Sequence, residues 1–264
     1  MQQLTESWKT VFPSSITERY LVAETRNAAA VMQMSTPDGF ADLVNVLENF
    51  SLDFDMLVRP GGNKSKVAKD LDESFRVLGW RETKFQQEVT NHLTIYPWKL
   101  ATPKEKVRSV STAPVMTGGH KVDNVKDGAV VDVEWNPKDG NLDRDFGNYT
   151  TLHDTGLIDV GVFVTRSQTL RPLAVNLIAQ AKAVAVPPTY DEWARRIRKT
   201  PNDPFSTSTT SNFEKLLPRM ERGDGRGCPI LAIAFSAKCY VPPTLSIPDE
   251  VLRVAALREN VVKR

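Results

Sequence analysis

The chain has 264 residues, enough to bury a full core as one large domain or as a domain with an appended lobe. Its 41% hydrophobic and 25% charged residues are the proportions of an ordinary soluble globular protein, and no apolar run approaches the ~18 residues of a membrane span. With 34 basic and 32 acidic residues the net charge is only +2, so no overall basic excess points to nucleic acid, although a local basic groove is compatible with that balance. The opening MQQLTESWKTVFPSS lacks the basic-then-apolar layout of a signal peptide. Cys228 and Cys239 fit no zinc spacing and no disulfide framework; they read as small buried hydrophobes in a protein of the reducing cytoplasm.

Residues 1–100 read as mainly helical. Apolar side chains recur at helical spacing over residues 38–52, and Val67, Leu71, Phe75 and Leu78 do so over residues 66–78, where Gly79 stops the pattern. Pro60-Gly61-Gly62 separates these two helices. Residues 88–99 look strand-like, and a polar loop follows over 103–121, with Gly118-Gly119 near its end. A hairpin then spans 122–136. Residues 142–153 suit a helix closed by Gly156, and the β-branched run 157–165 suits a buried strand. A further helix covers 168–183. Residues 187–199 carry Tyr190, Trp193 and Ile197 on one helical face, and the cations Arg195, Arg196, Arg198 and Lys199 read as its solvated side. Residues 200–212, rich in Ser, Thr, Asn and Pro, are a loop. Residues 229–235 form another buried strand after a glycine-rich turn, and an amphipathic helix covers 249–262. The predicted architecture is an α/β fold with a central mixed sheet flanked by helices, and no linker splits the chain.

The hairpin carries the chemistry. Asp127-Gly128 between apolar residues is a strong signal for a two-residue turn with φ > 0 at both centres. That turn sets Lys126 opposite Ala129, Val125 opposite Val130, Asn124 opposite Val131, and Asp123 opposite Asp132. Like charges directly opposed on a strand pair are destabilising. Glu134 lies two residues beyond Asp132, so it projects from the same face. Three carboxylates at one end of a hairpin call for a positive partner, and a hard divalent cation such as Mg²⁺ is the natural one. Glu134 is then placed to take a proton from attacking water. The competing reading makes Asp123 a surface acid beside the turn and Asp132 and Glu134 solvent-facing strand residues, with Val131, Val133 and Trp135 filling the other face.

The residues around the hairpin weigh against that competitor. His120-Lys121-Val122-Asp123, followed after nine positions by Asp132-Val133-Glu134-Trp135-Asn136, resembles the active-site signature of the BglII/BstYI type II restriction endonucleases. These are relatives of BamHI within the PD-(D/E)XK nuclease superfamily. The resemblance continues through Asp143-Arg144-Asp145, Leu152-His153 and the run from Gly161 to Arg166. It resumes at Ser208-Thr209-Thr210, Lys215-Leu216, Pro218-Arg219 and the turn Gly225-Arg226-Gly227-Cys228-Pro229, covering residues 65–236 in all.

The resemblance implies a restriction-endonuclease-like core over residues 1–264, with 184–205 as an insertion. It makes Asp123 and Asp132 the metal-binding acids, the backbone carbonyl of Val133 a further ligand, and Glu134 the general base, in a position where the superfamily usually has lysine. The first strand acid is Asp132 rather than the more usual glutamate, so a metal must sit closer to the strand or be reached through water. Asn136, Lys138, Ser208, Thr209 and Thr210 fall where the family contacts bases or phosphates. The insertion's cations have a second reading as a clamp on the DNA backbone. The implied activity is Mg²⁺-dependent hydrolysis of double-stranded DNA at a palindromic site, leaving a 5′-phosphate and a 3′-hydroxyl. The implied setting is a homodimer in a prokaryotic cytoplasm, alongside a cognate DNA methyltransferase. The rival readings are a structure-specific nuclease, a non-catalytic DNA-binding protein of the same fold, and a cation-binding structural hairpin.

Overall fold

The computed structural model describes residues 3–58, 65–98, 103–116, 119–135, 138, 140–206 and 210–262, without the side chains of 258–262. Contacts divide the chain into two compact units, residues 1–81 with 123–264, and residues 82–122. The larger unit opens with strand β1 (Leu4–Thr5), short helices α1 (Trp8–Val11) and α2 (Ser14–Thr17), and strand β2 (Tyr20–Thr25). Helices α3 (Ala28–Ser35), α4 (Pro37–Asn49), α5 (Phe54–Val58) and α6 (Lys66–Val77) follow. The helices expected over 38–52 and 66–78 are α4 and α6, and Gly79 ends the second with φ 94°.

The expectation of a mainly helical first hundred residues misses β2. Four of its six residues are buried, on both faces of the strand, so they lack the two-residue alternation that marks a strand in sequence. Glu24 in β2 is fully buried, and its carboxylate accepts the backbone N–H groups of Ser7, Trp8 and Ala29. One acidic side chain thereby satisfies amides at the starts of both α1 and α3.

Strand β3 (Arg81–Phe85) leads into β4 (Glu88–Val89), β5 (His92–Ile95), β6 (Arg108–Ser111) and β7 (Val115–Met116). The strand-like reading of 88–99 resolves into two short strands. The polar loop expected over 103–121 instead contains β6 and β7, which pair antiparallel with β5 and β4. Their burial is slight, so no apolar periodicity signals them, and backbone pairing alone defines them.

Strands β8 (His120–Lys126) and β9 (Ala129–Glu134) form the predicted hairpin. Asp127 and Gly128 both have positive φ, 47° and 86°, as a type I′ turn requires. The register is Asn124↔Val131, Val125↔Val130 and Lys126↔Ala129, as the turn dictates. The chain then runs through α7 (Gly140–Asp154), β10 (Val160–Arg166), α8 (Arg171–Ala183), α9 (Asp191–Lys199), α10 (Phe213–Arg222), β11 (Ile230–Phe235) and α11 (Ile247–Val262). Gly156, at φ 71°, closes α7: its N–H donates to His153 O and that of Leu157 to Leu152 O.

The central sheet has seven strands in the order β1-β2-β11-β10-β9-β8-β3. Strands β9, β10 and β11 run parallel, while β2 is antiparallel to β1 and β11 and β8 is antiparallel to β9, so the sheet is mixed as expected. One face of β9 and β10 presents Val131, Val133, Trp135, Val162 and Val164 to a core shared with α3, α4, α6, α8, α9 and α11. The other face carries Phe163, against which α7 packs Phe146 and Tyr149 at ring separations of 5.1 and 4.9 Å. In α9, Trp193 and Ile197 join the core while Arg195, Arg196, Arg198 and Lys199 are exposed, the division its periodicity predicts. Both cysteines are buried free thiols.

The turn is tight against its surroundings. Gly128 O accepts the N–H of Asp159, and a Cβ at Gly128 would stand 2.8 Å from the Asp159 carboxylate. Gly128→Ala is therefore expected to destabilise the protein by about 1 kcal/mol or more, through the positive φ and this clash. A urea midpoint equal to wild type would contradict that expectation.

Candidate active site

Because side chains alternate along a strand, Asp132 and Glu134 project from the face of β9 opposite Val131, Val133 and Trp135. The backbone register ends at Asn124↔Val131, and a side chain makes the next step: Asp123 N–H donates to Asp132 Oδ1 at 3.0 Å. The structure thus brings Asp123 and Asp132 together across the hairpin. Asp123 is half-buried, whereas Asp132 and Glu134 are only 7% and 9% exposed. The solvent-facing reading of these strand acids is overturned, because α7 covers the face they occupy.

Helix α7 supplies groups that the hairpin pattern does not contain. Tyr149 donates its hydroxyl to Asp132 Oδ2 at 2.8 Å and also lies 3.2 Å from Val162 O. It reaches there because residue 161 is glycine: a Cβ at Gly161 would stand 2.2 Å from the Tyr149 ring. Asp145, one helical turn before Tyr149 and on the same face, is buried and ion-paired with Arg144 at 2.9 Å. Asp143 points elsewhere, where Arg219 of α10 grips it with contacts of 2.7 and 3.1 Å. Asp145 and Tyr149 are the residues the hairpin reading misses. Their four-residue spacing was visible, but only the packing of α7 on β9 shows what that face meets.

Among the described residues, acidic groups outnumber basic ones around the β9 carboxylates. Burial pushes the Asp132 carboxyl up from its ordinary 3.8 to about 7, against the hydrogen bonds from Asp123 and Tyr149, while Asp145 and Asp123 add to the rise. Glu134 is raised by burial, then by Asp145, Asp132 and Asp123, while the Arg144 charge opposes the rise. Burial also raises the Tyr149 phenol, as does Asp132, so it remains a protonated donor at neutral pH. Glu134 Oε2 is buried without a hydrogen-bond partner among the described residues.

A hard divalent cation fits this donor set, since the oxygens are carboxylate oxygens and the excess charge is negative. No cluster of three or more His, Cys, Asp or Glu side chains among the described residues forms a ready metal cage. A cation such as Mg²⁺, which keeps several waters and takes one or two carboxylates, does not need one.

The residues expected at DNA divide between placed and unplaced. Lys138 is exposed and Thr210 half-buried, and an isolated antiparallel β-bridge joins their backbones. Asn136, Ser208 and Thr209 lie outside the described residues. His153 sits in the last turn of α7, 3.9 Å from the Asp154 carboxylate.

The raised carboxyl pKa values carry a sign. Asp132 holds its proton more tightly folded than unfolded, so its contribution to stability is complete below pH 3.8 and is lost as pH rises through about 7. Metal-free protein is expected to lose stability over that window, and Asp132→Asn to flatten the loss. Urea midpoints in chelator across this range would test it; an unchanged slope in the variant would refute the assignment.

Among individual curated proteins, none matches the chain. A family model described as restriction endonuclease BglII/BglIII matches residues 20–235, which include the whole hairpin, α7 and the sheet from β2 to β11. The family is one of site-specific deoxyribonucleases that bind double-stranded DNA and generally use a divalent metal. With that span matched and the carboxylates gathered on its central strand, the chain belongs to the BglII/BglIII restriction endonuclease family.

Proposed function

We propose that this type II restriction endonuclease is Mg²⁺-dependent, cuts both strands of a palindromic site and acts as a homodimer. The observation that supports this most is the pair of buried, charge-unbalanced carboxylates on β9, Asp132 and Glu134, beside Asp123. Asp123, Asp132 and the carbonyl of Val133 would hold the cation. When bound, Mg²⁺ polarises the scissile phosphate and makes water more acidic. Tyr149 and the amide of Asp123 hold the Asp132 carboxylate by both oxygens, which fixes its orientation. Glu134 receives the proton of the attacking water; positive charge nearby lowers its raised pKa and restores its basic form. Arg144 holds Asp145 close behind, which limits repulsion from that acid.

Lys138, Thr210, Asn136, Ser208 and Thr209 are proposed to contact bases or phosphates. A two-fold dimer gives one active site per strand of a palindrome. A cognate methyltransferase protecting host DNA and a prokaryotic cytoplasm complete the reading. Among the described residues, no helix is long and apolar enough to cross a membrane.

Purified protein incubated with unmethylated phage DNA and Mg²⁺ is expected to give discrete bands, and none with chelator. Asp132→Ala is expected to slow cleavage by about 1,000-fold, the several kcal/mol a metal contributes. Glu134→Gln should slow cleavage while keeping site-specific binding. Intact DNA with wild type in both Mg²⁺ and Mn²⁺ would overturn the catalytic reading. Binding without cleavage would then favour a non-catalytic protein of this fold, and cutting governed by DNA shape would favour a structure-specific nuclease.

A further inference from the structure

Strand β10 ends in Thr165-Arg166, and both side chains hold the exit of the catalytic strand. Thr165 Oγ1 donates to the carbonyl of Glu134 at 2.7 Å, and Arg166 Nε donates to the carbonyl of Trp135 at 3.2 Å. Arg166 is fully buried, and its guanidinium lies 4.1 Å from the centroid of Phe205, whose ring meets Trp135 edge-on at 6.5 Å. From there Nη2 donates to Thr210 Oγ1 at 3.2 Å. Thr210 is held again by Lys215 Nζ at its carbonyl and by its bridge to Lys138. A single planar group therefore touches the backbone just past Glu134, the ring of Phe205 and the hydroxyl of Thr210.

Stability alone does not account for this arrangement. Taking an arginine out of water is expensive, and apolar residues of similar volume often replace a whole buried ion pair without loss, so burial of an ionic group is weak evidence that it is there for stability. Burial pulls the guanidinium pKa down to about 10, with Glu214 and Asp203 opposing, so the group still carries its proton at neutral pH. A guanidinium offers donors at fixed angles, which a lysine cannot reproduce. Arg166 thus links the Thr210 hydroxyl to the Trp135 carbonyl, one residue past the proposed general base.

We propose that Arg166 is a positioning residue that couples DNA contact at Thr210 to the placement of Glu134, so that the correct site accelerates the chemical step itself. This rests on the reading of Thr210 as a DNA contact and of Glu134 as the base.

The test uses single-turnover cleavage of duplexes carrying the site found by sequencing the ends of wild-type digests, and of duplexes with one base pair changed. Wild type, Arg166→Lys, Thr210→Val and the double variant are compared, with Kd measured in Ca²⁺ and folding checked by urea midpoint. Arg166→Lys is expected to slow the chemical step at the correct site by about 100-fold, the effect of a small misplacement, with Kd within about threefold. Thr210→Val should slow it in the same sense, and the double variant should be no slower than the worse single, because both remove one shared link. Discrimination against the altered site should shrink with it. A slowed rate that merely follows the folded fraction, additive losses in the double variant, or a loss confined to Kd would each overturn the coupling. Should Arg166→Lys fail to fold, Thr210→Val decides: an unchanged chemical step there refutes the proposal. Absence of cleavage by wild type would instead refute the catalytic reading, and the two failures are separate.

Discussion

Burial of acidic side chains on a strand covered from both sides is the constraint around which this molecule is organised. Strand β9 lies near the middle of the sheet, with an aliphatic core on one face and α7 on the other. Asp132 and Glu134 consequently leave water, and in a low-dielectric setting each raises the cost of charging the other. The arrangement is only partly compensated, since Glu134 Oε2 has no hydrogen-bond partner among the described residues. Asp132 receives an amide and a phenol, Asp145 receives an arginine, and the remaining imbalance suits a divalent cation.

Several features far apart in sequence serve that one strand. Gly161 has no Cβ, which lets Tyr149 lie against β10 and reach Asp132. Asn124 is buried, donating to Asp72 of α6 and to the carbonyl of Val131, so it fixes the hairpin to the helical layer. Thr165 and Arg166 secure the carbonyls at the strand's exit. Parallel pairing with β10 keeps Asp132 and Glu134 in register with Phe163 and Thr165. The site is thus built on rigid elements, which favours accurate placement of reacting groups.

The fold and the chemistry were legible to different degrees. Helices α4, α6, α9 and α11 followed from three- and four-residue apolar spacing, β10 from a short run rich in β-branched residues, and β11 from an apolar run after a glycine-rich turn. Strand β2 escaped because burial on both faces erases alternation, and β6 and β7 because they bury little. Helix α10 was also missed: Pro218 lies inside it, a residue that normally argues against a helix interior. That Asp123 meets Asp132, with Glu134 on the same face, was legible because a two-residue turn imposes one register, and register is a local property.

What the sequence determined by itself was therefore short-ranged: the hairpin and its turn, the face on which Asp132 and Glu134 lie, and the amphipathic helices. Each depends on residues a few positions apart, where backbone geometry leaves one arrangement. Only the tertiary structure decided that this face is closed by α7, that Asp145 and Tyr149 join it, and that Arg166 reaches both Trp135 and Thr210. Those relations connect residues 11 (Glu134 to Asp145) to 44 positions apart, and no periodicity encodes them. They arise when elements pack, and packing sets both the burial of a carboxylate and the company it keeps.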